Sequence, residues 1–260
     1  HSGDYKFDHT PVDNWPSDYA KLAEFSSRGV LALLSDSTNA ERPGWTPSEK
    51  VVDEAFRKVF REAAGRIIIV SFASLVSRMQ QVANAAGKFN RKLAFAGSSM
   101  VENAKMASKL GYLEIPEGIQ VPIDQALGMK DEDVVIMCTG SQGEPSSILG
   151  RLSMGTNRQF DIKPGDTIVL SSHPIPGNEE PIYRMINRLI ERGANVIYEE
   201  IAPVHVSGHA SQEEMKLLLH LVRPKYFIPI HGELRQLTQH ARLAQEVGIP
   251  QENIQVIQNG

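Results

Sequence analysis

The chain has 260 residues, 41% of them hydrophobic, and a net charge of −4. That is enough to bury a full core in one large domain or two small ones, and it gives no global basic field, so nucleic acid would have to be met in a local groove. The single cysteine, Cys138, excludes an intramolecular disulfide framework and a cysteine-rich zinc module, and fits a reducing cytosol. No apolar run reaches about 18 residues and no basic-then-apolar leader opens the chain, so the expectation is a soluble, cytoplasmic protein without a membrane partner.

In chain order, His1 to Asp8 has no start methionine and reads as the exit from a strand whose earlier part is absent. Val30 to Leu34 is a short buried strand ending in the polar turn Ser35-Asp36-Ser37-Thr38. Thr46-Pro47-Ser48-Glu49 has the form of a capping box, and Val51, Val52, Ala55, Phe56, Val59 and Phe60 continue it at helical spacing to about Ala64. A β-branched strand over Arg66 to Phe72, a helix capped by Ser74 toward Gly87, a strand over Lys92 to Gly97 and a helix over Ser98 to Leu110 extend the alternation. Pro116 to Met129 reads as an irregular connector.

The strand Asp133 to Cys138 leads into the glycine-punctuated loop Thr139 to Pro145 and a helix. Asp166 to Ser172 is the next strand, and an amphipathic helix ends at Arg192. Asn195 to Tyr198, Lys225 to Ile230 and Ile254 to Ile257 read as strands, with helices over Gln212 to Val222 and Arg235 to Val247. Near-continuous β-branched strands alternating with helices predict an α/β fold, a mostly parallel sheet covered on both faces.

Four residues at strand ends or turns have the chemistry of a metal site. His209 and His231 each close an apolar run just before a helical pattern, Asp36 ends a strand, and Asp4 follows a glycine in a turn. Carboxylate plus imidazole suits zinc or manganese. The Thr139–Glu144 loop has the glycines of a phosphate nest without the lysine of a P-loop, and the same pattern serves as a tight turn between strand and helix. His173, at a strand end, is expected to line a binding cleft rather than ligate metal, His220 and His240 to be surface or packing residues of helices, and Cys138 to lie in the core.

These segments in this order resemble a family. Gly3-Asp4-Tyr5-Lys6-Phe7-Asp8, Leu34-Ser35-Asp36-Ser37-Thr38-Asn39, Cys138-Thr139-Gly140-Ser141-Gln142-Gly143-Glu144-Pro145, Pro174-Ile175-Pro176-Gly177-Asn178, Ser207-Gly208-His209 and Pro229-Ile230-His231-Gly232-Glu233 are similar to the motifs of bacterial ribonuclease J. That family consists of metallo-β-lactamase-fold nucleases of the β-CASP group, and the similarity runs over essentially the whole chain.

The resemblance implies that residues 49–204 form a β-CASP domain inserted into the second half of a metallo-β-lactamase αββα domain, whose two parts are residues 1–48 and 205–260. It implies that Asp4 and His231 are metal ligands, with Asp4 bridging two zinc ions, or Mn²⁺ or Mg²⁺ in their place. Asp36 and His209 would act beside the scissile phosphate, while Gly140, Ser141, Gly143, Ser207 and Gly208 would hold the phosphates of single-stranded RNA in the cleft between the domains. It further implies endonuclease and 5′-to-3′ exonuclease activity in RNA maturation and decay, a homodimer or homotetramer, and a place in an RNA-degradation complex.

The family's histidine cluster, expected ahead of Asp4, and its C-terminal domain have no counterpart here, so the expectation is a fragment with an incomplete metal site and little or no activity of its own. A non-catalytic RNA- or nucleotide-binding α/β module is the alternative. Convergence of Asp4 and His231 beside His209 discriminates between the two.

Overall fold

The computed structural model describes residues 1–257. The chain divides into two compact units, His1–Ser48 with Ser207–Gly260, and Glu49–Val206. The second junction lies two residues beyond the expected one. Its elements are α1 (Tyr19–Arg28), β1 (Val30–Asp36), α2 (Lys50–Glu62), β2 (Ile67–Val70), α3 (Val76–Lys88), β3 (Lys92–Phe95), α4 (Ser98–Lys109), α5 (Ile123–Leu127), β4 (Val134–Cys138), α6 (Ile148–Ser153), β5 (Thr167–Leu170), α7 (Glu179–Glu191), β6 (Asn195–Ile197), α8 (Gln212–Val222), β7 (Pro224–Ile230) and α9 (Leu234–Glu246).

The inserted unit is built on a parallel five-stranded sheet of order β3-β4-β2-β5-β6. Strand residues point alternately to opposite faces, and here both faces are dry. Ile67, Ile69, Leu93, Val135, Met137 and Val169 pack under α2, α3 and α4. Their neighbours Ile68, Val70, Ala94, Ile136, Cys138 and Ile168 pack against α5, α6 and α7. The unbroken β-branched runs of the sequence are therefore central strands of a three-layer α/β unit. Arg78, fully buried on α3, satisfies the strand-end loops from within: its guanidinium donates to the Ser171 hydroxyl and the Val204 carbonyl, both at 2.6 Å, and to Glu49 at 2.7 Å.

In the other unit β1 and β7 pair in parallel, with Asp36 opposite Ile230. That register brings the two carboxyl ends level, so Asp36 and the residue after Ile230, His231, emerge at the same end. Leu33 and Phe227 pack with Leu218, Leu219 and Val222 of α8 and Ala244 of α9.

Several expectations from sequence change. α1 is absent from the sequence reading: it is short and buries none of its residues fully, resting only Tyr19 and Leu22 against the core, although Asp18 caps it by accepting from the Lys21 amide at 2.9 Å and Gly29 ends it at φ +81°. The Thr46–Glu49 capping box does not form. α2 starts after Glu49 with no side-chain cap, because the polar atoms of Thr46 are committed elsewhere in its own unit. Ser74 lies in a turn ahead of α3, whose N-cap position is Leu75. The 116–129 connector contains the short α5. Ile254 to Ile257 is not a strand: only Ile254 bridges to Phe227, and Val256 and Ile257 are exposed. No strand precedes His209 either, since residues 203–206 are irregular.

Candidate metal centre

Asp4, Asp36, His209 and His231 converge, each offering a ligand atom within 4.8 Å of the others. Each is held by a different device. Asp36 ends β1, and its carboxylate, 1% exposed, is the hub. Oδ1 accepts the amide and hydroxyl of Thr38 at 3.0 and 2.7 Å and lies 3.2 Å from His231 Nδ1, while Oδ2 lies 2.7 Å from His209 Nδ1. Burial alone would raise the Asp36 pKa; the hydrogen bonds from His209 and Thr38 outweigh it and hold the carboxyl below its usual range. The reciprocal effect raises the His209 pKa, first through the Asp36 hydrogen bond, with burial opposing. His209 is thus biased toward the imidazolium form. Because its Nδ1–H is spent on Asp36, its Nε2 edge is the one left to face a ligand.

His231 follows β7 directly and takes the left-handed conformation, φ +54°, sparsely populated outside glycine and commonest at functional sites. The turn is fixed by Thr38, whose hydroxyl lies 3.2 Å from the His231 carbonyl, and by Gln236, which bridges the Thr38 carbonyl (2.7 Å) and the Glu233 amide (2.8 Å). Asp4 is exposed, with Oδ1 3.3 Å from His231 Nδ1. Its segment lies along the end of β1, where the Ser2 amide donates to the Leu34 carbonyl at 2.9 Å and the Asp36 amide to Ser2 Oγ at 3.1 Å.

The loop carrying His209 is locked from behind. The His209 carbonyl accepts both Asn39 Nδ2 at 2.9 Å and Thr46 Oγ1 at 2.7 Å. Ser207 Oγ accepts the His209 amide at 3.2 Å and Asn39 Nδ2 at 2.9 Å. Beneath it Glu214, with no exposed surface, accepts three backbone amides: Phe7 on Oε1 at 2.7 Å, Thr46 and Ser211 on Oε2 at 2.7 and 2.8 Å. One buried carboxylate therefore ties together the segment that bears Asp4, the loop after β1 and the loop that bears His209. Sequence reading missed Asn39, Thr46 and Glu214. The readable signal for the last was Ser211-x-x-Glu214, a capping box that forms at the start of α8.

The donor set fits a divalent metal. Two carboxylates and two imidazoles at this spacing suit zinc or manganese, and Asp4 and His231 are the two exposed members of the set.

Gly208 is exposed and has open space where a Cβ would sit, so nothing among the described residues demands a glycine there. The Gly140–Gly143 loop of the inserted unit differs. Gly140 (φ +116°) would drive a Cβ into the Ser147 side chain, and Gly143 (φ +77°) into Pro181, so both glycines are explained by packing. Ser141 is buried and lines a small depression with Ser172, Pro174, Tyr198, Glu199 and Glu200. Two carboxylates there offer a phosphate no electrostatic gain. His173 pairs with Glu199 at 2.6 Å.

Residues 64–189 match the family model described as ribonuclease J, beta-CASP domain, and residues 193–256 match that of a Zn-dependent metallo-hydrolase RNA specificity domain. Ribonuclease J of Synechocystis sp. is 49% identical over all of this chain and 41% of its own length. Ribonuclease J 1 of Streptococcus pyogenes is 47% identical, matched over 46% of its length, and ribonuclease J of Thermus thermophilus 45%, over 45%. The chain thus spans somewhat under half of these relatives. A solved protein of unknown function from Enterococcus faecalis V583 shares the fold, with a TM-score of 0.54 at 14% identity over 93% of this chain and 53% of that one. Among the described residues no helix is long and apolar enough to cross a membrane.

Proposed function

This chain belongs to the ribonuclease J family, and on that premise we propose that its Asp4, Asp36, His209 and His231 form part of the centre of a metal-dependent ribonuclease that hydrolyses phosphodiester bonds in single-stranded RNA. The observation that carries the reading is the convergence of the four side chains within 4.8 Å. A module that only bound RNA would have no reason to bring Asp4 and His231 to 3.3 Å beside His209.

Asp4 and His231 would hold zinc, with manganese or magnesium as substitutes. When bound, such an ion polarises the phosphoryl group and supplies an acidified water. Asp36 holds the His209 ring by Nδ1 and stabilises its protonated form, so His209 is set to give its Nε2 proton to the departing ribose oxygen. Gly208 leaves room for a phosphate beside His209 and Ser207. On the same reading the activity combines endonuclease and 5′-to-3′ exonuclease action in RNA maturation and decay, in a cytoplasmic homodimer or homotetramer and within an RNA-degradation complex.

A catalytic zinc ordinarily takes three protein ligands, and a two-metal centre needs more than Asp4 and His231 provide. The 260 residues alone therefore bind metal weakly and cleave RNA little. The test places this chain in the Synechocystis relative in exchange for its homologous 260 residues. The chimera should cleave a 5′-monophosphorylated single-stranded RNA only with metal present, and His209→Ala should abolish cleavage. A chimera that folds and binds RNA but never cleaves it, or that cleaves equally well as His209→Ala, overturns the proposal.

A further inference from the structure

The loop from Asn39 to Thr46 is held far more firmly than a surface loop without a task requires. Both its ends bind one atom, the His209 carbonyl oxygen, through Asn39 Nδ2 and Thr46 Oγ1. Its middle is tied to the start of α8, where the Gln212 amide donates to the Arg42 carbonyl at 3.0 Å, the Glu213 amide to the Gly44 carbonyl at 3.1 Å, and Gln212 Nε2 to the Ala40 carbonyl at 2.9 Å. The Thr46 amide ends on buried Glu214.

This rigid frame presents two groups outward. The Arg42 guanidinium is exposed and has no carboxylate or carbonyl acceptor among the described residues, yet its charge acts on the His209 imidazole. Trp45 is 46% exposed, with its ring backed by His9 at 5.3 Å between centroids; His9 in turn stacks on Tyr19, and Tyr19 packs in a tilted arrangement against buried Phe7 at 5.2 Å. A large aromatic face left in water, braced by a line of rings reaching the core, is a costly way to finish a surface. It is a ready platform for a flat apolar ligand. A free cation three residues away on the same pinned loop adds an anion contact.

We infer that the Asn39–Thr46 loop is a nucleotide-holding element in which Trp45 stacks on a base of single-stranded RNA and Arg42 takes an adjoining phosphate. Ring stacking accepts any base, and the arginine contact reads only the backbone, so the element adds affinity and register without sequence preference. The inference rests on the proposed function for its ligand, RNA, and goes beyond it by assigning these two side chains.

The test uses the whole chain in chelator, where cleavage plays no part. Trp15→Phe leaves Trp45 as the sole tryptophan. Its fluorescence should be quenched by a 5′-monophosphorylated oligoadenylate and not by an abasic phosphodiester oligomer of equal length. By anisotropy of a labelled oligonucleotide, Trp45→Leu should weaken binding about 5- to 160-fold, the range of one base stacked on one aromatic ring, while Trp45→Phe restores most of it. Arg42→Gln should lower the slope of log K against log salt by about 0.7, one single-strand phosphate contact. Equal thermal midpoints for the variants show that folding is intact. If the oligonucleotide binds and His209→Ala weakens it while both loop variants bind normally, the loop assignment is wrong and the RNA reading stands. If no oligonucleotide binds by either readout, both fall.

Discussion

Replacing Glu214 by glutamine should loosen the candidate centre without touching any of its four converging side chains. Oε2 accepts two amides, from Thr46 and Ser211, and Oε1 accepts one, from Phe7. An amide side chain has only one acceptor oxygen. Turning it toward Thr46 and Ser211 sets its NH₂ against the Phe7 N–H, two donors facing each other where no water reaches. Losing one hydrogen bond to a charged acceptor costs about 1.5–3 kcal/mol, and the stranded donors add to it, so about 2–4 kcal/mol is expected against a typical domain stability of about 5–15 kcal/mol. Both tryptophans, Trp15 and Trp45, lie in the unit that contains Glu214, so tryptophan fluorescence follows its unfolding alone. The urea midpoint should fall by about 1–2 M. Glu213→Gln, one residue away and exposed in a pair with Lys216, should change stability by less than about 0.5 kcal/mol. A Glu214→Gln variant as stable as the parent, or a Glu213→Gln variant equally damaged, would refute the reasoning.

Two further predictions concern protonation. His240 is fully buried behind Asp36, with Nδ1 2.9 Å from Ser37 Oγ, and burial pushes its pKa down to about 4 from the ordinary 6.5. The ring is neutral in both states at pH 7; between pH 6.5 and 4 only the unfolded chain takes up the proton, so this residue removes about 3 kcal/mol of stability over that interval and no more below it. His240→Phe should flatten the acid limb of the pH–stability profile by that amount, and an unchanged limb would contradict the assignment. His209 has the opposite sign. Its raised pKa contributes stability that is present below 6.5 and lost as pH rises through the folded value. Asp36→Asn removes the charged acceptor, and the NMR titration midpoint of the His209 ring should then move to lower pH; a midpoint that stays put would show that Asp36 does not hold the proton on His209.

The inserted unit was legible in the sequence because its strands are buried on both faces. Ile67–Val70 and Val134–Cys138 can hardly be anything but central parallel strands. The same logic overreached at Ile254–Ile257, where four suitable residues find only one bridge to a neighbour. α1 does carry an apolar stripe, with Tyr19 and Leu22 on the core, but it is short, buries no residue fully, and has Asp18 alone as its start signal. Asp36 and His231 could be proposed from their places at strand ends. Their meeting depends on the β1–β7 register, fixed across 195 positions and invisible to any local pattern. Asn39, Thr46 and Glu214 act on backbone groups far along the chain, at separations of 163 to 207 positions, and a residue that supports an unspecified amide leaves no partner in the sequence to search for.

Metal binding to this chain tests the central claim most directly. Zinc and manganese titrated calorimetrically into the metal-free protein should bind weakly, with no more than one ion per chain, and Asp4→Asn and His231→Ala should each abolish the heat. Two tightly held ions per chain, or binding that survives both substitutions, would contradict the account.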